Sequence, residues 1–383
     1  MIDVKYFFEE VKKSGINFFT GVPDSLLKDI CAYITSNTDE RQHVIAANEG
    51  NAIGLAVGHY LATKSPALVY LQNSGLGNII NPLTSLADSA VYGIPMLIMI
   101  GWRGEISEEG IQINDEPQHI KQGQITCNQL EVLKIPYIII DSNSNIENIV
   151  TKLVELSNAT NNPVVLLVRK GAFNEYQLCE DSVSNSDLLT REDIISNLLR
   201  FIPNDIPVIS TTGMTSRELF ELRLKSKSGN FRDFLTVGGM GHASSIATGI
   251  ALSMSANKIL CLDGDGAFLM HMGSLAISAR QKNLIHIVLN NGAHDSVGGQ
   301  PTFASSMSLT DIAKGSMYDF IFQADNLLDI EKIMPELFNL KGSVFFEIKC
   351  KKGYRSNLSR PNKKPSENKL DFMSFLKKIK NGK

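Results

Sequence analysis

In ILCLDGDGAFLMHMG, residues 259–273, an apolar run ends at Asp263, and a helical pattern resumes after Gly264, Asp265 and Gly266. Glycine-flanked turns between a strand and a helix usually offer backbone N–H groups to phosphate. A carboxylate in the middle of such a turn would repel that phosphate unless a cation stood between them. A second part of such a cation site follows in IHIVLNNGAHDSVGGQ, residues 285–300, where another apolar run ends on Asn290 and Asn291. The segment between reads as one helix and one strand. Asp265 and Asn291 therefore fall at the carboxyl ends of parallel strands, where open α/β sheets bind ligands. A carboxylate, a side-chain amide and a main-chain carbonyl just beyond are hard oxygen ligands suited to Mg²⁺, which phosphate oxygens would bridge.

Other readings of this turn fit less well. A dinucleotide fingerprint needs G-x-G-x-x-G and an acid about twenty residues on. Gly264 and Gly266 meet its first two positions, but Leu269 takes the third and no acid ends the following strand. A Walker A loop fails because no Gly-Lys-Ser/Thr follows. A purely structural turn, with the asparagines capping the next loop, stays open on this stretch alone.

Three more stretches carry candidate chemistry. In HVIAANEGNAIGLAVGHYLAT, residues 43–63, Glu49 directly follows a strand pattern and opens a helix of small residues. Taken alone, a carboxylate in a first turn is merely favourable with the helix dipole. VGGMGHASSIATGIAL, residues 237–252, sets Met240 between glycines that permit close backbone approach, with Gly239 and His242 beside it. In STTGMTSREL, residues 210–219, Thr212, Gly213 and Met214 occupy a strand–helix turn whose N–H groups suit a diphosphate.

These residues need elements to position them. At 383 residues the chain is too long for one average core, which predicts two α/β domains. A composition of 43% hydrophobic and 20% charged residues with net charge −3 argues against bulk nucleic-acid binding. Cys31, Cys127, Cys179, Cys261 and Cys350 are scattered, without C-x-x-C spacing, and predict neither a disulfide framework nor a zinc site. The N-terminus reads as an amphipathic helix rather than a signal peptide, and the apolar runs are too short to cross a bilayer. A cytoplasmic location is expected.

Continuous apolar runs predict a parallel sheet covered on both faces. In the first half they are INFFTG, HVIAA, ALVYLQ, MLIMIG, YIIID and VVLLVR, with helical patterns between, including 24–36, 48–62 and 145–158. After the polar, aperiodic stretch 174–189 the rhythm restarts with VIST, DFLTV, KILCLD, IHIVLNN, YDFIFQ and SVFFEIK. The expected fold is two doubly wound parallel-sheet domains, 1–173 and 190–383, joined by a linker at 174–189. A basic, proline-containing tail ends in one short amphipathic helix, with Arg355 and Arg360 as possible anion contacts.

The spacing GDG-x23-NN resembles the thiamine diphosphate motif of the decarboxylase and transketolase superfamily. The resemblance implies that Asp265, Asn291 and the carbonyl of Ala293 hold Mg²⁺ against the diphosphate, with Gly264, Gly266 and Ala267 lining it. It also implies that Glu49 contacts the pyrimidine ring and that Met240 wedges the cofactor into a bent shape. The first domain becomes the pyrimidine-side domain and the second the diphosphate-side domain. No room remains for the middle domain of larger relatives, which resembles the short enzymes acting on phosphonopyruvate and sulfopyruvate. GVPDSLLK, AANEGNAIGLAVG, QNSGLGNIINPL, IPMLIMIGWRGE, DEPQHIKQG and NNGAHDSVGGQPT are similar to the phosphonopyruvate group in particular.

That similarity implies decarboxylation of 3-phosphonopyruvate to phosphonoacetaldehyde and CO₂ in phosphonate biosynthesis. It also implies a homodimer or larger homo-oligomer in which Glu49 and Asp265 of different subunits share a site. A phosphonate needs cationic or N–H donors, and the Arg fork suits it. Arg103, in the glycine-bounded GWRGE stretch, and His119 and Lys121, in the next loop, are the substrate-anion candidates, with Ser25 and Asn73 nearby. Asp24 and His294 are the proton-transfer candidates, although Asp24 could instead cap the helix it precedes. The rival expectations are a sulfopyruvate decarboxylase, a carboligase using the same cofactor, a nicotinamide oxidoreductase on two Rossmann domains, and a non-catalytic binding protein.

Overall fold

Runs such as ALVYLQ, MLIMIG and PVVLLV have no polar face to turn to water, and they form strands buried on both sides. The computed structural model describes residues 1–178, 187–226, 229 and 231–382. Its two units are Met1–Asp181 with Val297–Gln300, and Ser182–Ser296 with Pro301–Lys383.

The first unit holds β1 (Phe19–Gly21), β2 (His43–Ile45), β3 (Ala67–Gln72), β4 (Met96–Gly101), β5 (Tyr137–Ile140) and β6 (Pro163–Val168). They form one six-stranded sheet in the order β2-β1-β3-β4-β6-β5, with every pair parallel. Alternation along the central strands feeds two cores. Leu68, Tyr70, Leu97 and Met99 join the core on one face, and Val69, Leu71, Met96, Ile98 and Ile100 the core on the other.

The second unit repeats this topology. Its strands are β7 (Val208–Ser210), β8 (Asp233–Leu235), β9 (Ile259–Gly264), β10 (Leu284–Asn290), β11 (Phe320–Ala324) and β12 (Val344–Lys349). Read from β8, their order is β8-β7-β9-β10-β12-β11, again all parallel. In each sheet the strand order reverses beside the first strand, at β1/β3 and at β7/β9. Such reversals form the crevice in which open α/β sheets bind ligands, and Asp24, Asn73, Thr212 and Asp265 follow the strands that flank the two.

The ends of the chain differ from the sequence pattern. The tail helix runs Pro365–Asn381, 17 residues, and buries Phe372 and Phe375. Its Asn368 amide donates to Asp233 O at 2.8 Å and accepts from Leu235 N at 3.1 Å. That amide occupies the free edge of β8 much as another strand would. Arg355 is already held by Glu192 at 2.7 Å and by Glu221. Residues 179–186 of the expected linker 174–189, Cys179 among them, lie outside the described residues. Asn174 and Tyr176 are bonded into the first unit, through Val4 N and Asp29. No helix among the described residues is long and apolar enough to cross a membrane.

Candidate active site

The β7/β9 reversal supplies the anion side. Beyond β7 the chain passes Thr212 to Gly213, which has φ +91°, a left-handed conformation that favours glycine. Gly213 is the N-cap of helix Met214–Lys225, and no side chain caps that end. Its first N–H groups therefore face outward as donors. Asp265 opens the helix Asp265–Met270 directly after β9. Its carboxylate is 2% exposed and accepts from Thr302 Oγ1 and from the backbone N–H groups of Asn291 and Gly266. Burial pushes its pKa up to about 6. Among the described residues no cationic side chain accompanies it, so a buried carboxylate sits among neutral donors only. A divalent cation fits that donor set, since it would compensate the buried charge.

Asn290, which ends β10, and Asn291, which follows it, are both fixed. Asn290 Nδ2 donates to the buried Glu347 Oε1 at 2.7 Å, and its Oδ1 accepts from Gly292 N. Asn291 Nδ2 donates to Asp295 Oδ2 at 2.6 Å, and its Oδ1 accepts from Ala293 N at 3.1 Å. Each thus caps the following loop, as the structural reading of this turn expects. An amide oxygen has two lone pairs, so Asn291 Oδ1 retains one for a cation. Ala293 is buried and bridges to Pro301. Met240 and His294, far apart in sequence, converge on one spot. A Cβ at Gly266 would lie 2.8 Å from His294 Cε1 and 3.2 Å from Met240 Cε. Burial lowers the His294 pKa to about 4, leaving a neutral imidazole near pH 7. Gly239 and His242 are exposed, with His242 Nδ1 3.2 Å from Met240 O.

The β1/β3 reversal holds the other group. Glu49 is the first residue of helix Glu49–Thr63, whose N-cap Asn48 accepts from Asn51 N. The glutamate is buried, and Asn78 Nδ2 donates to its Oε2 at 2.7 Å. The remaining oxygen rests against Gly75, where a Cβ would come within 2.5 Å of Oε1. That oxygen has no donor among the described residues and suits a ring nitrogen carrying a proton.

Asp24 is fully buried over Gly101 at the end of β4. It accepts from Gln72 Nε2 at 2.6 Å and Leu26 N at 3.0 Å. Burial raises its pKa, against the opposing pull of Gln72, Leu26 and Arg103. Asp24 is not a helix cap, because the next helix starts at Lys28 with Leu27 as N-cap. The pattern 24–36 began that helix too early: Pro23, Asp24 and Ser25 favour a turn.

Arg103 is tied into the same crevice. Its Nη1 donates to Ser25 Oγ at 2.9 Å, while Nε and Nη2 grip Asp115 at 2.8 and 2.5 Å. Burial works against ionised Asp115, but the Arg103 fork and the N–H groups of Glu116 and Gly104 hold its carboxyl well below the usual range. Asn73 brackets the Arg103 backbone from both sides, at 2.9 and 3.2 Å. His119 and Lys121 correct the sequence expectation. They stand on helix Pro117–Val132 rather than a loop, because Pro117 presets the first turn. His119 is buried beside Gln118, whereas Lys121 is exposed, and their two-residue spacing turns them to different sides.

Sequence reasoning missed Gln72, Asn78, Asp115, Asp295 and Thr302, all partners of expected site residues. Only Gln72 carried a signal, as the last residue of its strand. The single cluster of metal-ligand types among the described residues lies elsewhere, at Cys261, Asp263 and His286, all buried between β9 and β10. There His286 Nε2 bonds Asp263 Oδ2 at 3.2 Å, and Asp263 Oδ1 accepts from Gly264 N.

Known proteins resemble the chain over most of its length. Residues 4–132 match the thiamine pyrophosphate enzyme N-terminal TPP binding domain, and residues 211–347 match the C-terminal TPP binding domain. The chain is 30% identical over 379 residues to a phosphonopyruvate decarboxylase of Streptomyces viridochromogenes, covering 94% of this chain and 92% of that protein. It is 30% identical over 378 residues to a phosphonopyruvate decarboxylase of Streptomyces hygroscopicus, covering 94% and 90%. A sulfopyruvate decarboxylase of Methanosarcina acetivorans is 29% identical over 322 residues, covering 77% of each chain. The chain therefore belongs to the thiamine pyrophosphate enzymes, as a decarboxylase and carbon–carbon lyase with two α/β domains and no middle domain.

Proposed function

We propose that the chain decarboxylates 3-phosphonopyruvate to phosphonoacetaldehyde and CO₂, using thiamine diphosphate and Mg²⁺, within phosphonate biosynthesis. The observation that carries the substrate is the near full-length similarity to two phosphonopyruvate decarboxylases, against 77% coverage for the sulfopyruvate enzyme. A sulfopyruvate decarboxylase is the second reading, favoured by that same third relative and by the similar tetrahedral anion.

When bound, thiamine diphosphate supplies a carbon nucleophile and an electron sink that no side chain can offer. Asp265, Asn291 Oδ1 and the Ala293 carbonyl would hold Mg²⁺, and the N–H groups at Thr212, Gly213 and Met214 would receive diphosphate oxygens. Gly264, Gly266 and Ala267 would line that position, with Met240, Gly239 and His242 alongside. Glu49 Oε1 would share a proton with the pyrimidine ring, since its other oxygen is engaged by Asn78. On the substrate side, Ser25, Asn73, Arg103 and His119 would bind the charged ends. Lys121, being exposed, would act only by long-range attraction. The buried Asp24, with its raised pKa, suits a proton donor, and neutral His294 suits a hydrogen-bond partner. A homodimer or larger homo-oligomer is part of the proposal, and a fully active monomer in sedimentation at assay concentration would refute that part.

The test is turnover by metal-stripped protein of phosphonopyruvate, sulfopyruvate and pyruvate, with thiamine diphosphate and Mg²⁺ restored separately. Phosphonopyruvate should give the highest kcat/KM, and only with both added. Preference for sulfopyruvate would move the reading to its rival, and activity without either cofactor would overturn both. Gly75→Ala offers a steric check. Its Cβ would displace the flexible end of Glu49 rather than backbone. Melting should stay within about 4 °C of wild type, while kcat should fall by about 100-fold.

A further inference from the structure

A cation at Asp265 and Asn291 needs the oxygen of the Asn291 amide, yet half a turn about the last side-chain bond would present the NH₂ group instead. Ala293 N, which donates to Asn291 Oδ1 at 3.1 Å, favours the oxygen on one side, and the group on the other side must favour the nitrogen. Asn291 Nδ2 donates to Asp295 Oδ2 at 2.6 Å, and an ionised carboxylate can only accept. The nitrogen is therefore drawn to Asp295 and the oxygen is turned away from it. Asp295 is itself immobile. Arg191 Nη1 donates to the same Oδ2 at 2.8 Å, and Gly353 N lies 3.1 and 3.2 Å from the two oxygens. Arg191 in turn grips Glu218 through Nε at 2.7 Å and Nη2 at 3.1 Å. The side chains of Arg191, Glu218 and Asp295 are 6%, 1% and 5% exposed.

A buried ion cluster of this kind adds little to a fold that apolar groups of the same volume would not. To Asn291 it adds a direction. We infer that Asp295, anchored by Arg191 and Glu218, is a positioning residue that orients the Asn291 amide so that its oxygen faces the cation. This rests on the reading that Asp265 and Asn291 hold Mg²⁺. Outer groups that orient metal ligands typically change metal affinity by about 10–100-fold when removed.

The experiment titrates Mn²⁺ into metal-stripped full-length protein saturated with thiamine diphosphate, reading free Mn²⁺ from its electron paramagnetic resonance signal. Asp295→Ala should raise the Mn²⁺ dissociation constant about 10–100-fold. Asp295→Asn should recover to within about threefold of wild type, because its single oxygen can take the corner shared by Arg191 and Asn291. The triple variant Arg191→Met, Glu218→Leu, Asp295→Ala removes the whole ion cluster while keeping the interior filled, and should bind as weakly as Asp295→Ala. Wild-type affinity in folded Asp295→Ala or in the triple variant would overturn the inference, as would an Asp295→Asn as weak as Asp295→Ala. Asn291→Ala separates the two levels. If it binds Mn²⁺ like wild type, the cation reading itself falls. If it weakens binding while the Asp295 variants do not, only the positioning role falls.

Discussion

Glu49→Gln is expected to lower kcat by about 10²–10⁴-fold, the range for losing a positioned acid–base group, with the fold intact. At about 1.4 kcal/mol per decade this is roughly 3–5 kcal/mol of transition-state stabilisation. Glutamine matches glutamate in volume, so the packing against Gly75 is preserved. Its carbonyl can still accept from Asn78 Nδ2, which places the NH₂ group where Oε1 now stands. A nitrogen there donates and cannot take a proton. The substitution also removes a buried carboxylate that has only a neutral partner, so stability should be unchanged or slightly higher. Single-turnover rates beside thermal melting decide the matter. A folded Glu49→Gln with wild-type kcat would remove Glu49 from the chemistry.

The sheets were legible because a parallel strand covered on both faces needs an unbroken apolar run, and each of the twelve observed strands overlaps one of the runs read from the sequence, with β6, β9, β10 and β11 extending one residue beyond theirs. The shortest strands are β1, β2, β7 and β8, with three residues each, so less of each apolar run is strand there. Asp265, Asn291 and Glu49 were visible for a local reason: each sits where a strand pattern gives way to a helix or loop. Their partners were not visible. Asn78 lies 29 residues from Glu49, Thr302 37 from Asp265, and Arg191 104 from Asp295. Such contacts follow from the register of strands and helices, which no local pattern encodes. Arg103 shows the same limit. As an exposed fork it reads as an anion receptor, yet Asp115 already pairs with it in the folded chain. Pro117, by contrast, did carry its signal, since proline is favoured at the first position of a helix.

Asp265→Asn is expected to weaken Mg²⁺ binding by about 100-fold or more, beyond the 10–100-fold usual for groups one layer out, and to abolish its pH dependence. In the metal-free protein burial lifts the Asp265 pKa from 3.8 to about 6. The folded value lies above the unfolded one, so ionisation opposes folding. Between pH 6 and 4 this carboxyl makes the metal-free fold more stable as pH falls, by up to about 3 kcal/mol. Mg²⁺ reverses that preference, because it binds only the ionised form. Its affinity should be nearly flat above pH 6.5 and fall about tenfold per pH unit below 6, as protons compete for the same oxygens. Melting curves with and without Mg²⁺ at pH 5, 6 and 7 expose both slopes. In wild type the Mg²⁺-induced rise in Tm should shrink from pH 7 to pH 5. In Asp265→Asn it should be small at every pH, and the metal-free protein should lose the gain on acidification. A wild-type Mg²⁺ effect that holds constant from pH 7 to pH 5 would place the cation on ligands other than Asp265. The buried carboxylate would then need another partner to account for its position among neutral donors.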